Sequence, residues 1–286
     1  MPAELIKGMP IANKIREEIV VEVEQLKAKG VNPKLAVVLV GDDEASVVYA
    51  RSKEKVGDKL GIQVDLTVKP GDTSEDEVLK LIDSLNADDN VHGILVELPL
   101  PKGISKENVM ARLDPLKDVD GVHPVNRGYL LGGQEDLALI PATPLSCIEL
   151  MERAGLELRG KRIALVGRGD TVGRPLASLL IKRDATITIC HTKTVDIPAI
   201  TKAAEIVVVA AGRINLVTGD MLSPGQVVVD AGINPKDEGG ITGDVEFDAA
   251  VEIVKAITPV PGGVGSLTTT IIMNNLIKAI KLQGKA

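Results

Sequence analysis

The chain has 286 residues, 44% of them apolar and 26% charged, with a formal net charge of -7. That length accommodates two domains with a large buried core, and an acidic balance with both signs mixed along the chain excludes a nucleic-acid surface and adhesion to anionic lipid. No run approaches the ~20 apolar residues of a membrane span, and the opening stretch MPAELIKGMPIANKIREE lacks the apolar core of a secretion signal, so no membrane association and a cytoplasmic location are expected.

With no Trp, one Phe and two Tyr, the core must be filled by Val, Ile, Leu and Ala, which suits parallel sheets buried on both faces. From residue 35 the sequence alternates β-branched runs with helical segments: LAVVLV, a helix from about Ala45 to Leu60, IQVDLTV, a helix in SEDEVLKLIDSLN, and the strand VHGILVEL. Ser74 and Glu77 make an S-x-x-E capping box at the start of the second of these helices. On the first helix Val48, Val56 and Leu60 read as the buried stripe, leaving Tyr49 and Lys53, one turn apart, at its edge. Such a pair either stacks a flat heterocycle beside an amine that moves a proton, or is a snorkelling lysine over a half-buried tyrosine.

Periodicity fades across LPLPKGISKENVMARLDPLKDVDGVHPVNRG, residues 98–128. Its Pro, Gly and Asp density reads as ordered loops at the carboxyl ends of strands, where open α/β sheets carry their sites. Glu97 ends the strand before it, and Asp114, Asp118 and Asp120 sit on a rigid turn within it. A helix then begins at TPLSCIELMERAG, with Thr143 as N-cap and Pro144 at the first helical position. A second alternation follows: KRIALVG, a helix from Val172 to Lys182, ATITIC, IPAITKAA, EIVVVAAG and QVVVDAG. The closing segment GSLTTTIIMNNLIKAIKLQ is an amphipathic helix expected to pack back on the first domain. The fold class is therefore α/β: two α/β domains around a cleft, residues 1–141 with 266–286, and residues 142–265 as a Rossmann-type dinucleotide-binding domain. Cys147 and Cys190 read as two buried small hydrophobes, and three scattered histidines without an H-E-x-x-H motif give no ligand set, so no metal is expected.

In LVGRGDTVGRP the glycines at 167, 169 and 173 lie one residue out of step with G-x-G-x-x-G. The loop follows a strand and opens a helix, so it is either a phosphate-binding turn or an ordinary strand-to-helix turn. The next strand, ATITIC, runs into His191, Thr192 and Lys193, with no Asp or Glu to hold the ribose 2'-hydroxyl of NAD. Opposite Arg168 these side chains make a pocket for the 2'-phosphate of NADP; the alternative leaves Arg168 and Lys193 as solvated surface charges.

Six motifs occur in order: Y-x-x-x-K at Tyr49 and Lys53, LPLP at 98–101, KDVDG at 117–121, VGR with VGRP within 166–175, GDV at 243–245 and PGGVG at 261–265. Together they resemble the methylenetetrahydrofolate dehydrogenase/methenyltetrahydrofolate cyclohydrolase family over essentially the whole chain. The resemblance implies an NADP-dependent oxidation of 5,10-methylenetetrahydrofolate by hydride transfer, then hydrolysis of the methenyl cation to 10-formyltetrahydrofolate, with folate held between the domains. It implies Lys53, Tyr49, Glu97 and Asp120 as the catalytic group, with Lys53 serving the hydrolysis, Tyr49 against the folate ring and Asp120 on the pterin. Leu98, Pro261, Gly262 and Gly263 join Tyr49, Lys53 and Asp120 as substrate contacts, and Gly167, Arg168, Gly169, Gly173, His191, Thr192 and Ile233 as coenzyme contacts. A homodimer through the coenzyme domain is implied as well.

The chain departs from the family pattern at four places. Glu97 stands where glutamine is usual; a carboxylate there favours the charged form of Lys53 and makes it a poorer base, while stabilising the cation that hydride loss creates. Hydrolysis is then weakened, or uses Glu97 itself as the base. Gly169 replaces a serine and removes one hydroxyl near the phosphate, Ala142 replaces a cysteine, and Ser266 replaces a proline, where it can cap the last helix. Two other readings compete: a two-domain NADP reductase of the shikimate dehydrogenase type, which has no use for Asp120 or PGGVG, and a catalytically silent nucleotide or folate sensor, which has no use for Lys53.

Overall fold

The computed structural model describes residues 2–41, 43–236 and 238–286. Chain order runs β1 (Glu4–Leu5), α1 (Gly8–Ala28), β2 (Lys34–Val40), α2 (Glu44–Leu60), β3 (Gln63–Lys69), α3 (Glu75–Ala87), β4 (Gly93–Val96), α4 (Lys106–Arg112) and α5 (Pro124–Leu131). It continues through α6 (Ala142–Arg153), β5 (Arg162–Val166), α7 (Gly173–Lys182), β6 (Thr186–Cys190), α8 (Ile197–Ala203), β7 (Ile206–Val209), β8 (Val227–Asp230), β9 (Asn234–Pro235), β10 (Ile241–Thr242), α9 (Phe247–Ala250), β11 (Ala256–Ile257) and α10 (Thr268–Leu282). The chain divides into two compact units, Lys14–Ala142 with Thr269–Ala286, and Met1–Asn13 with Thr143–Thr268.

The first unit holds a parallel sheet in the order β3-β2-β4. Its central strand β2 is buried at six of seven positions, as a near-continuous apolar run dictates for a parallel strand covered on both faces. The expected capping box is present at α3, where the Ser74 and Glu77 side chains each accept from the other's backbone N–H. On α2 the expected stripe needs correction. Val48 is 63% exposed, and among the described residues the buried side chains of this helix are Ala50, Lys53 and Leu60, with Lys53 only 1% exposed. The i, i+3, i+10 spacing turns the lysine toward the sheet rather than to the helix edge. Gly57 completes that face: a Cβ there would lie 2.4 Å from Val64 Cγ2, so α2 can approach β3 only with glycine.

Two short helices replace part of the expected loop region. The Ser105 hydroxyl caps α4 by accepting from Asn108 N–H at 3.2 Å, and His123 Nδ1 caps α5 by accepting from Val125 N–H at 3.1 Å. Helix α6 starts at Ala142, ahead of the expected Thr143 cap, because the Asp120 carboxylate accepts from Ala142 N–H at 3.3 Å. Helix α10 buries Ile271, Ile272, Leu276, Ile277 and Ile280, and Asn275 Nδ2 ties it to Val119 O and Ile140 O at 2.8 Å each. Ser266 lies in a 3-10 turn ahead of α10, not at its cap.

The second unit is a six-stranded parallel sheet in the order β1-β11-β8-β7-β5-β6, with β9 and β10 as a separate antiparallel pair. The first residues were expected with the other domain; they belong here because β1 pairs with β11 and Ile6 N–H continues the ladder to Ile257 O at 2.9 Å. Strand order reverses about β5, and in open α/β sheets it is at the carboxyl ends of the strands flanking such a reversal, here β5 and β7, that ligands are received. Both cysteines are buried in this unit, and burial pushes the Cys147 thiol up to about 12 and the Cys190 thiol upward. Among the described residues no helix is long and apolar enough to cross a membrane, and no cluster of His, Cys, Asp and Glu could hold a metal ion.

Candidate active site

In the first unit Tyr49 and Lys53 from α2, Glu97 just beyond β4, and Asp120 come together. The Lys53 ammonium sits 3.8 Å from the centroid of the Tyr49 ring and 2.7 Å from Glu97 Oε1. This is a charge contact rather than a directed hydrogen bond: among the described residues neither Nζ nor Oε1 has a partner of good geometry. A buried ammonium in that condition is a group a ligand can satisfy. Tyr49 is half exposed and offers its ring to solvent, while burial, then the Glu97 charge, raises its phenol above the ordinary value against an opposing hydrogen bond with Thr269.

The KDVDG turn positions Asp120 through its neighbours. Ile94 N–H of β4 donates to Lys117 O at 2.6 Å, which stitches the turn to the strand that leads into Glu97. Lys117, itself buried, donates to Leu85 O, Asn86 O and Asp88 O at the end of α3. Asp118 Oδ2 accepts from His123 N–H at 2.8 Å and Asn126 Nδ2 at 2.9 Å, and Gly121 at φ +60° passes 2.5 Å, measured from an added Cβ, from Leu139 O. Asp120 is left facing the site, its carboxyl pushed up to about 7 by burial and by the charge of Asp118. Asp114 is not part of this group; its backbone N–H donates to Asn86 Oδ1 at 2.9 Å and its own Oδ1 accepts from Leu116 N–H at 2.8 Å, closing a turn. Leu98 follows Glu97 and is 36% exposed.

In the second unit the glycine loop leaves β5. Gly167 has φ +122°, and a Cβ there would lie 2.1 Å from Ala210 O; at Gly173 a Cβ would lie 2.4 Å from Gly167 O. Gly169 has open space instead. Helix α7 begins without a side-chain cap, leaving its positive end to a ligand. Val166 and Cys190 are register partners, so the loops carrying Arg168 and Thr192 leave adjacent strands side by side. Arg168, Gly169, Thr192 and Lys193 are exposed, and Ile233 is 57% exposed beyond β8. His191 Nδ1 accepts from Lys193 N–H at 3.1 Å and His191 N–H donates to the Thr194 hydroxyl at 2.9 Å, so the histidine shapes its turn. Pro261, Gly262 and Gly263 follow β11, with Gly262 O accepting from Gly8 N–H at 2.8 Å and an added Cβ on Gly263 only 2.6 Å from Pro259 O. The sequence assigns no role to Asp230 or Asp244: one closes a strand and the other sits on a loop, without a spacing signal, and only the structure brings them together.

Two family models match: the tetrahydrofolate dehydrogenase/cyclohydrolase catalytic domain over residues 6–120 and the NAD(P)-binding domain of the same family over residues 141–284. A bifunctional FolD protein of Desulfitobacterium hafniense is 59% identical over 283 residues, 99% of each chain. The crystal structure of the bifunctional methylenetetrahydrofolate dehydrogenase/cyclohydrolase of Campylobacter jejuni superposes with a TM-score of 0.94 at 41% identity, covering 98% of this chain and 99% of that one. The Trypanosoma brucei enzyme, solved with NADP and an inhibitor, gives a TM-score of 0.93 at 35% identity over the full length of both.

Proposed function

This chain belongs to the tetrahydrofolate dehydrogenase/cyclohydrolase family, and on that premise we propose that it oxidises 5,10-methylenetetrahydrofolate to the 5,10-methenyl form with NADP and hydrolyses that product to 10-formyltetrahydrofolate. The observation that carries the reading is the buried Lys53 ammonium between the Tyr49 ring and Glu97, without a directed hydrogen bond, beside Asp120. A reductase for a small acid has no use for Asp120, and a silent sensor none for Lys53.

The second unit fits a dinucleotide: a strand-to-helix turn that only glycine permits at 167 and 173, an uncapped helix end, and exposed cations with no acid at the end of β6. Gly167, Gly169 and Gly173 take the pyrophosphate, Arg168 with Thr192 and His191 the 2'-phosphate side, and Ile233 an apolar contact. When bound, NADP supplies the hydride acceptor. On the folate side Tyr49 lies against the ring, Asp120 holds the pterin N–H groups, and Leu98 adds a contact; Pro261, Gly262 and Gly263 are assigned to the substrate by family resemblance. In the hydrolysis, water adds to the methenyl carbon, the C–N electron pair returns to nitrogen, and Lys53 moves the proton that water gives up.

Glu97 divides the two reactions unequally. A carboxylate 2.7 Å from Nζ holds the Lys53 nitrogen in a charge contact and offsets the positive charge that hydride loss creates, so oxidation is sustained while hydrolysis is slowed. A homodimer through the second unit, where β6 is an exposed sheet edge, and a cytoplasmic location complete the reading. The test is to mix the protein with methylenetetrahydrofolate and NADP and follow NADPH and the methenyl chromophore together. NADPH formation with delayed decay of the methenyl signal is expected; no coenzyme reduction overturns the reading.

A further inference from the structure

The GDV segment has no part in the chemistry above, yet its aspartate is among the most heavily hydrogen-bonded carboxylates of the second unit. Asp244 is fully buried. Its Oδ2 accepts from Ala211 N–H at 2.6 Å and Gly212 N–H at 2.8 Å, and its Oδ1 accepts from Arg213 N–H and Asn234 Nδ2 at 2.8 Å each. Three successive backbone N–H groups converging on one anion form the kind of concavity that elsewhere binds phosphate. Here the chain's own carboxylate fills it.

A second buried acid locks the first in place. Asp230, at the end of β8, accepts from Gly232 N–H at 2.8 Å, Asp244 N–H at 3.1 Å and Val245 N–H at 2.9 Å. The backbone closes so tightly on these carboxylates that a Cβ at Gly232 would lie 2.3 Å from Asp244 Cγ, and one at Gly243 1.9 Å from Asp230 Oδ2. Three segments, 210–213, 232–234 and 243–245, are thereby fixed to one another. The first includes Ala210, whose carbonyl backs directly on Gly167; the second carries the exposed Ile233.

We propose that Asp244 is a positioning residue for the coenzyme: by acting as an internal anion in the 211–213 concavity, it holds the loop behind Gly167 and the segment bearing Ile233 in the form that receives NADP. The proposal rests on the dinucleotide reading of the second unit. Because the concavity is already filled, the coenzyme phosphates are left to the glycine loop and the start of α7. Asp244 touches neither reacting atom, so its loss falls on coenzyme affinity rather than on the chemical step.

The experiment is Asp244→Ala, which removes the carboxylate and leaves space of about its own size, assayed for NADPH formation with and without formate, with sodium chloride at equal ionic strength as control. The expected result is a KM for NADP raised by on the order of tenfold or more, with kcat and the folate KM within about threefold, and recovery of most of the lost affinity by formate but not chloride. Asp244→Asn, which keeps the volume but turns a donor toward the three N–H groups, is expected to shift the same constant and not to respond to formate. An unchanged NADP KM in folded Asp244→Ala, or a loss that formate does not repair, overturns the proposal, as do variants that fold under neither condition, since Asp244 would then serve folding alone. Absence of NADP reduction by the native protein would instead refute the dinucleotide reading.

Discussion

Replacing Glu97 by Gln keeps the side chain's size and an acceptor oxygen while removing its charge. Across 2.7 Å the attraction to Lys53 is about 6 kcal/mol at an effective dielectric of ~20. With Lys53 only 1% exposed, salt screens little of it. Most of that attraction offsets the cost of desolvating the two charges, so the pair contributes little net stability. The hold that this charge contact keeps on the Lys53 nitrogen is lost with the carboxylate, and about a quarter of the figure is already worth tenfold in rate. Hydrolysis of 5,10-methenyltetrahydrofolate at neutral pH is expected to rise about tenfold in Glu97→Gln, and NADP-linked oxidation to fall a few-fold as the cation forming on folate loses its counter-charge. The assay is decay of the methenyl chromophore without coenzyme, NADPH formation measured separately, and a melting curve to show that the variant is folded. Equal hydrolysis rates in the two proteins would refute the reasoning, and a lower rate in the variant would transfer the base role to Glu97.

Asp120, held up to about 7 in the folded protein against ~3.9 in an unfolded chain, binds more protons folded than unfolded between these values, so stability falls as pH rises through that window. Asp120→Asn removes the slope: the variant should melt higher than the native protein at pH 8 and nearly level with it at pH 4 while binding folate more weakly, and a pH-independent difference in melting temperature would contradict the assignment. Gly173→Ala places a Cβ 2.4 Å from Gly167 O and should abolish coenzyme binding with a lowered melting temperature, whereas retention of the native NADP KM would show that the loop is not the phosphate turn. Gly169→Ser meets nothing within 4 Å, so its melting temperature should hold while the added hydroxyl lowers the NADP KM by roughly two- to tenfold; a raised KM would place the phosphate elsewhere.

The second sheet was legible because a parallel sheet buried on both faces writes itself as β-branched runs such as RIALV and IVVV, separated by helix starts and glycine turns. The pairing of Tyr49 with Lys53 was equally legible, since four-residue spacing on a helix admits one geometry. Their depth was not: Lys53 and not Val48 faces the sheet, because a lysine paired with Glu97 can occupy a position that hydropathy awards to valine. The assignment of the first residues to the second unit depends on pairing between β1 and β11, some 250 residues apart, and two-residue strands carry no periodic signal. Short helices α4 and α5 were hidden because each is held by a single cap, Ser105 or His123, and by packing. Asp244 belongs to the GDV motif, which assigns it no role, since what it holds is backbone N–H groups, which no sequence pattern displays.

Coenzyme selection by charge at the ends of β5 and β6 is the claim on which the functional account most depends. Titration calorimetry of NADP and NAD with the native protein and with Arg168→Ala tests it. The account predicts NADP held at least about tenfold more tightly than NAD by the native protein, from charge-assisted hydrogen bonds worth about 1.5–3 kcal/mol, with the gap largely erased in Arg168→Ala. Equal affinity for the two coenzymes in the native protein, or a gap that survives the substitution, would contradict it.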